Sequence, residues 1–253
     1  MARLKIGYLL LLFLFGLLPF AAHFLLHYPD ERHYMDGAIY MVRDGSWVAP
    51  KTAEGTLRFQ KPILPYWTVA AGYELGGINV LMSRLPFLLI GGLTLWLTYR
   101  LALRLYRDTS VAILAALILL SHPQFILGST RSMPDGLLCF SVLLGAYGFL
   151  RLIVLEEKSA GAFWAAYGGV ALAVLSKGLL GIGLLAFAWG FAWSRTRKLA
   201  TLRQLLHWPS MLTGAFVAFG WFATVIILHG HEVWATFWDD QVSGNLGGTW
   251  WSP

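Results

Sequence analysis

The sequence predicts an all-α integral membrane protein, and three observations lead to this fold class. First, 57% of the 253 residues are hydrophobic and 13% are charged, far from the composition of soluble globular domains. Second, apolar runs of membrane-spanning length recur along the chain. Third, the net charge of +6 comes from short basic clusters between these runs. Such clusters are typical of membrane topology and not of a continuous nucleic-acid-binding face, so no nucleic-acid partner is expected.

The first apolar run covers residues 6–26 and follows the charged start MARLK. It is longer than the apolar part of a signal peptide and lacks a clear small-residue cleavage site, so we expect a retained signal anchor. Six further runs are predicted to cross the membrane, at roughly residues 84–103, 110–128, 135–154, 161–176, 178–194 and 209–228. The sequence thus predicts about seven transmembrane helices.

The segment at residues 62–77 is also apolar, but it contains two prolines, Glu74 and only about sixteen residues. The positive-inside rule decides its placement. If the segment does not cross and the N-terminus is cytoplasmic, the basic clusters at 100–107 and 195–203 lie inside; if it crosses, both lie outside. We therefore expect an interfacial helix region on the outer face. Three aromatic side chains would anchor it there: Tyr66, Trp67 and Tyr73.

This topology leaves four parts of the chain on the outer face, where the chemistry is expected: residues 27–83, 128–135, the turn at 176–178 and the tail from His229. The longest is the first loop of the outer face, residues 27–83. It begins with an amphipathic helix, since Met35, Ile39 and Val42 share one helical face and Asp44-Gly45 ends the pattern. Asp30 is expected at the N-terminus of this helix.

Asp30 and Glu31 stand side by side at the membrane boundary and are the first candidate catalytic residues. One interpretation makes Asp30 an N-cap that accepts a backbone N–H of the first turn, which stabilises a helix by about 1 kcal/mol. A cap needs only one carboxylate, however, and Glu31 is not required for it. The other interpretation makes the carboxylate a general base, with its pKa set by nearby cations and partial desolvation. The residues alone leave both interpretations open.

Other outer-face residues can complete such a site. Asp135 is the third catalytic candidate; it follows Pro134 at the start of a predicted span, where it also fits a helix cap. Four cations are candidates for binding an anionic group: Arg58, Lys61, Arg131 and Lys177. The first two also fit snorkelling cations beside an interfacial helix. Lys177 separates two apolar segments, and an ammonium there is costly unless it faces water, a carboxylate or a phosphate.

Two features bear on metal binding. His229, His231 and Glu232 form an H-x-H-E cluster that fits either a metal site or plain interfacial polarity. The single cysteine, Cys139, lies inside an apolar run, so neither a thiolate metal cluster nor an internal disulfide can form. The sequence therefore implies no cofactor firmly.

Six motifs in a fixed order carry a resemblance to a known family. They are P-D-E-x-x-Y at residues 29–34, D-G-x-W-V-x-P at 44–50, F-x-K-P at 59–62, R-L-P at 84–86, R-x-x-P-D at 131–135 and S-K-G at 176–178. Together with the predicted spans, they resemble the lipid-dependent glycosyltransferases of the aminoarabinose transferase and protein O-mannosyltransferase type, which have the GT-C membrane fold. The resemblance covers nearly the whole chain.

This resemblance implies a GT-C-type helical bundle that acts as a glycosyltransferase in a bacterial inner membrane, with its active site facing the periplasm. The donor would be a sugar on a polyprenyl phosphate, transfer would invert the anomeric carbon, and the acceptor would be a lipid, glycan or protein. Asp30 matches the family's catalytic acidic position. The four cations would hold the departing lipid phosphate, and Asp135 would orient the acceptor or Arg131.

The chain departs from the family pattern at two points. Gln60 stands where relatives of the aminoarabinose type often carry a carboxylate before Lys-Pro, so that motif does not support a divalent metal. Family members are also commonly longer, and we expect residues 1–253 to be a C-terminally incomplete catalytic module. The rival classes are a transporter or flippase-like module and a catalytically inactive scaffold. Ionisable residues gather at one face while the helix centres carry almost no charge, which favours the enzyme over the transporter.

Overall fold

The computed structural model describes residues 5–23, 30–178, 180–197, 202–230 and 233. Within them the chain is helical, and its β structure is a single isolated bridge between Lys51 and Leu57. The predicted all-α fold class is confirmed. The helices with both ends in the described residues are α1 Ile6–Ala22, α2 Asp30–Asp44, α3 Leu64–Gly76, α4 Val80–Tyr106, α5 Thr109–Leu120, α6 Pro123–Thr130, α7 Pro134–Ile153, α8 Ala160–Lys177, α9 Leu180–Thr196 and α10 Trp208–His229.

Helices occupy all seven segments that the sequence predicts to span the membrane. Three of them, α4, α7 and α10, are long and apolar enough to cross a bilayer, and the pair α5–α6 would make a fourth if it counts as one span. The N-terminal α1 is a shorter apolar helix of 17 residues. The chain is therefore a membrane protein. That it crosses the membrane seven times stays a prediction.

The predicted span at 110–128 is wrong as a continuous helix, because the chain bends by 71° between α5 and α6. The bend lies at Ser121-His122-Pro123. Pro123 is the first residue of α6, where its missing N–H is harmless, but it cannot continue the helix from α5. The Ser121 hydroxyl donates to the Ile118 carbonyl over 2.8 Å at the end of α5. Because of this bend, Arg131, which directly follows α6, lies at the end of the bundle where α7 begins.

Ion pairs and ring contacts define one end of the bundle. Arg104 of α4 and Arg151 of α7 both donate to Glu157, which precedes α8. In the same region, the rings of Phe163 and His207 stack with their centroids 4.7 Å apart. The connections α4–α5, α7–α8 and the one before α10 therefore lie together. This is the grouping that the positive-inside argument requires of the cytoplasmic end.

The opposite end is covered by α2 and α3, which share a hydrophobic core with α4, α7, α8 and α10. The prediction that Tyr66 and Tyr73 anchor this region in the lipid interface is wrong, since they are only 0% and 2% exposed. Because α2 packs over α3, both rings face the protein instead. Trp67 is half-buried, and its Nε1 donates to the Trp47 carbonyl over 2.8 Å.

The helix α3 is too short to cross a membrane. Its 13 residues extend roughly 20 Å, against about 30 Å for the hydrocarbon core. It lies tightly against the start of α4, since a Cβ at Gly72 would come within 1.9 Å of the Met82 carbonyl oxygen. These dimensions agree with the expected position of residues 62–77 along one membrane surface.

Candidate active site

A buried ion pair joins α2 to the transmembrane bundle. Glu31, in the first turn of α2, and Arg84, near the start of α4, both have side chains that are 0% exposed. Arg84 Nε donates to Glu31 Oε1 over 2.6 Å, and Nη2 donates to Oε2 over 2.8 Å. This two-point contact is the strong form of an arginine–carboxylate interaction, and it fixes the orientation of the carboxylate as well as its distance.

The same cluster ties together four parts of the fold. Arg84 Nη1 donates to the carbonyls of Ala21 and His23, at the end of α1, over 3.2 and 2.5 Å. The backbone N–H of Ser132 donates to Glu31 Oε1 over 3.1 Å, and the Ser132 hydroxyl donates to the Ser83 carbonyl over 2.9 Å. Therefore α1, α2, α4 and the α6–α7 connection all meet around one carboxylate.

Arg131 lies at the accessible side of this cluster. It follows α6, its side chain is 22% exposed, and its Nη1 is 3.8 Å from Glu31 Oε2. Burial and the neighbouring Arg84 charge lower the pKa of the Arg131 guanidinium, while Glu31 acts in the opposite direction. Binding of an additional anion would relieve the repulsion between the two guanidinium groups.

A second ion pair links the ends of two helices. Lys177 is the last residue of α8, and its Nζ donates to Asp135 Oδ1, in the first turn of α7, over 2.6 Å. Each residue sits where the helix dipole favours its charge. The two side chains are 37% and 41% exposed, so a polar ligand can reach the pair. The sequence allows water, a carboxylate or a phosphate as the partner of Lys177, and in the structure the partner is the Asp135 carboxylate.

Tyr34 lies within electrostatic range of three of the predicted site residues. Its phenol lies in the electrostatic field of Asp30, Asp135 and Arg58. Tyr34 is 4% exposed, and its burial more than any neighbouring charge raises the pKa of the phenol, which therefore stays protonated. Among the described residues, no backbone N–H of the first turn of α2 donates to the Asp30 carboxylate, which is exposed. The capping interpretation of Asp30 gains no support there.

The remaining candidates lie in the loop before α3 and beyond α10. Gln60 and Lys61 are half-buried. His229 ends α10, and its ring centroid is 5.2 Å from that of Phe59. In the described parts of the chain, no three His, Cys, Asp or Glu side chains come together as a group of metal ligands. Residues 231 and 232 of the H-x-H-E cluster lie outside those parts.

Sequence reasoning missed Arg84 and Ser132 as parts of this site. Arg84 was visible only as the first residue of the R-L-P motif at a helix start. An arginine whose side chain would face an apolar bundle was the signal in the sequence. Such a side chain is rare unless it has a carboxylate partner, so it indicates a buried ion pair. Nothing local in the sequence indicates that this partner is Glu31, 53 residues earlier.

Comparison with known proteins identifies the family. Residues 6–234 match the family described as dolichyl-phosphate-mannose-protein mannosyltransferase. The chain belongs to this mannosyltransferase family. Among its relatives, an uncharacterized protein from Aquifex aeolicus (strain VF5) is 30% identical over 214 residues, which are 85% of this chain and 42% of that protein. The resemblance predicted from the sequence motifs is therefore confirmed.

A second relative of this mannosyltransferase family member is an arabinosyl transferase. The undecaprenyl phosphate-alpha-4-amino-4-deoxy-L-arabinose arabinosyl transferase 1 of Pseudomonas fluorescens (strain Pf0-1) is 37% identical over 140 residues, covering 50% of this chain and 24% of that enzyme. Among solved structures, ArnT from Cupriavidus metallidurans bound to undecaprenyl phosphate superposes with a TM-score of 0.78 at 22% identity. The match covers 96% of this chain and 43% of ArnT. The chain thus has the GT-C membrane fold over less than half the length of these relatives.

Proposed function

We propose that this protein is a glycosyltransferase of a bacterial inner membrane that transfers a hexosyl or pentosyl group from a polyprenyl phosphate, with inversion, to a periplasmic lipid, glycan or protein. One observation carries the proposal, which is that two groups of paired charges from residues distant in sequence lie at one end of the bundle. The first is Glu31 with Arg84 and Arg131, and the second is Asp135 with Lys177. Membership of the mannosyltransferase family and the fold shared with ArnT support it.

Asp30 is proposed as the general base. It is exposed at the start of α2, whereas the adjacent Glu31 is buried and paired. As the acceptor oxygen forms its bond to the anomeric carbon, the acceptor proton passes to the Asp30 carboxylate. The bond from that carbon to the phosphate oxygen breaks on the opposite face of the sugar. A single displacement of this kind inverts the anomeric carbon and releases polyprenyl phosphate.

The cationic side chains are proposed to stabilise the departing phosphate. Arg131 lies 3.8 Å from the Glu31 carboxylate and Lys177 pairs with Asp135, while Arg58 and Lys61 stand in the loop before α3. Fixed positive charge compensates the charge that develops on the phosphate, so the leaving group needs no proton. Asp135 is proposed to hold Lys177 in place and to orient the acceptor, and Glu31 to position α2 through Arg84.

Sugar transfer in proteoliposomes would test this function. The native protein, reconstituted with a radiolabelled polyprenyl-phosphate sugar and an acceptor extract, is expected to release polyprenyl phosphate and to label the acceptor. Movement of the donor across the bilayer without release of polyprenyl phosphate would identify a flippase instead. If neither occurs, the proposal is wrong.

A further inference from the structure

A cavity between α4, α6 and α7 lies next to the Asp135–Lys177 ion pair, since Asp135 forms part of its wall. We call it the α4–α7 cavity. Its volume of about 290 Å³ is close to the lower limit of small-molecule sites, about 300 to 1,000 Å³. This space suits one compact head group and not a whole lipid. The wall includes Gly91 of α4, Phe125 and Gly128 of α6, and Asp135 and Cys139 of α7.

The bend between α5 and α6 forms the mouth of this cavity. His122, at the bend, and Gln124, in the first turn of α6, both line the cavity and are exposed. The His122 side chain does not cap α6. Within the described part of the chain, neither side chain forms a hydrogen bond. Both can therefore bind a ligand without breaking an existing contact.

These two polar side chains are expected at membrane depth. The helix α5 follows the basic cluster at 100–107, which is expected at the cytoplasmic surface, and its 12 residues extend about 18 Å. The hydrocarbon core is about 30 Å thick, so the bend lies within its outer half. An exposed imidazole and an exposed amide are costly there unless a polar group binds them. The mouth therefore offers hydrogen bonds to a group that enters from the bilayer.

The charge of the wall indicates which kind of group fits. Among the described residues that line the cavity, Asp135 carries a negative charge and none is Lys or Arg. The Asp135 side chain is 41% exposed, and only its Oδ1 accepts from Lys177 Nζ, which leaves Oδ2 for a ligand. A carboxylate accepts a hydrogen bond from a hydroxyl and repels a phosphate. The cavity thus fits an uncharged, hydroxyl-bearing group.

We propose that the α4–α7 cavity binds the acceptor, and that this acceptor is the hydroxyl-bearing head group of a membrane lipid, which enters at the α5–α6 bend. This inference rests on the proposed function, in which Asp135 orients the acceptor, and it selects lipid from the three acceptor classes. Leu119 and Phe125 add apolar surface to the wall, which suits the point where a head group joins its apolar chains. A soluble glycan or protein would not reach a mouth at membrane depth.

Cys139 reports on the cavity directly, because it is exposed in the wall and is the only cysteine of the chain. The native protein in phosphatidylcholine nanodiscs would be treated with a small, membrane-permeant maleimide, with and without glucosyl diacylglycerol in the bilayer. We expect this glycolipid to slow the labelling of Cys139 by about tenfold when it is present at roughly ten times its dissociation constant. Undecaprenyl phosphate in the same assay should leave the labelling rate unchanged.

The substitution Gln124→Leu nearly keeps the size of the side chain and removes its hydrogen bonds. The affinity for glucosyl diacylglycerol, measured from the protection of Cys139, is expected to fall by about threefold to tenfold. Ser121→Ala is the matched control, because Ser121 is exposed at the same bend but does not line the cavity. The control should bind the glycolipid as the native protein does, and both variants should retain their affinity for undecaprenyl phosphate.

Each outcome decides the question. If Cys139 does not react even without glycolipid, the mouth is closed to the membrane and the inference is wrong. Equal labelling with and without the glycolipid also refutes it, as does full protection in Gln124→Leu. Protection by undecaprenyl phosphate instead of the glycolipid would assign the cavity to the donor. Sugar transfer in proteoliposomes decides the proposed function separately: if it is absent while the glycolipid protects Cys139, the function fails and the head-group site remains.

Discussion

Two adjacent carboxylates have different environments in this protein. Successive residues of an α-helix point about 100° apart, so Asp30 and Glu31 cannot both face the bundle. Glu31 turns inward and meets Arg84, while Asp30 stays exposed at the start of α2. The buried pair fixes the first turn of α2 and with it the position of Asp30. This is the physical basis for assigning the chemistry to one residue and the positioning to the other.

Replacing Asp30 by Asn distinguishes a general-base role of Asp30 from a helix-capping role. Asn keeps a side-chain oxygen that caps a helix about as well, so a cap role predicts normal turnover. The base role predicts sugar transfer slower by on the order of 10² to 10⁴-fold, with folding and donor binding retained. Turnover of a polyprenyl-phosphate sugar and the melting temperature would both be measured. Asp36→Asn is the control, because Asp36 lies on the same helix in a surface pair with Arg32 at 3.5 Å.

Disrupting the Glu31–Arg84 pair should destabilise the fold. Glu31→Gln leaves the buried Arg84 without its counter-charge, at an expected cost of about 3 to 5 kcal/mol. Arg84→Gln should cost less than this, because Glu31 keeps the more distant Arg131 as a counter-charge. The double variant should lose less than the sum of the two, because no uncompensated charge remains. Chemical denaturation of the purified protein measures the coupling. Additive losses would mean that the two side chains do not interact as the distances indicate.

At the scale of the elements, the bend between α5 and α6 determines the position of the site residues that follow α6. A straight helix over 110–128 would carry the chain away from the bundle end, whereas the bend lays α6 against α4 and α7. Close contact with α7 depends on Gly136, since a Cβ there would lie 2.5 Å from the Gly128 carbonyl oxygen. Arg131 and Ser132 follow directly after α6, so their positions depend on this contact.

Gly136→Ala is expected to push α6 away from α7 and to displace Arg131 and Ser132. Backbone contact leaves little room to relax, so we expect a loss of about 1 to 3 kcal/mol in unfolding free energy together with weaker donor binding. The control is Gly183→Ala in α9, where a Cβ would meet nothing within 4 Å and helix propensity should raise stability slightly. Thermal unfolding of both variants provides the measurement. Equal behaviour of the two variants would contradict the packing argument.

At the scale of the whole molecule, charges are sorted to the two ends of the bundle. One end holds Arg104, Arg151 and Glu157, and the other holds the Glu31–Arg84 and Asp135–Lys177 pairs. Ion pairs at both ends connect helices that are distant in sequence. The end with the carboxylates and α2–α3 is the one expected to face the periplasm, because the basic loops gather at the other.

Cysteine accessibility would test this orientation. In a Cys139→Ser background, a cysteine at Glu54 should react with a membrane-impermeant thiol reagent added to intact spheroplasts, and one at Lys158 should react only after the membrane is opened. Both positions are exposed and lie at opposite ends of the bundle. The reverse pattern of labelling would invert the topology and place the site on the cytoplasmic side.

The helical class, the position of nearly every helix and the family could be predicted from the sequence, because apolar length and motif order are local properties that survive folding. The roles of the predicted site residues stay predictions, although Asp135 and Lys177, which are distant in sequence, form an ion pair. The prediction of an interfacial role for Tyr66 and Tyr73 was wrong. An aromatic residue in an apolar segment gives the same sequence pattern whether lipid or α2 covers its side chain.

The sequence by itself determined that this chain is an α-helical membrane protein whose ionisable residues lie in the loops and at helix ends, while the helix centres carry almost no charge. Hydropathy and charge act over a few neighbouring residues, so they can be read along the chain. Only the tertiary structure decided that Glu31 pairs with Arg84, that α5 and α6 form a bent pair, and that Lys177 pairs with Asp135. These depend on contacts between residues far apart in sequence, where burial selects one partner among many with the same local pattern.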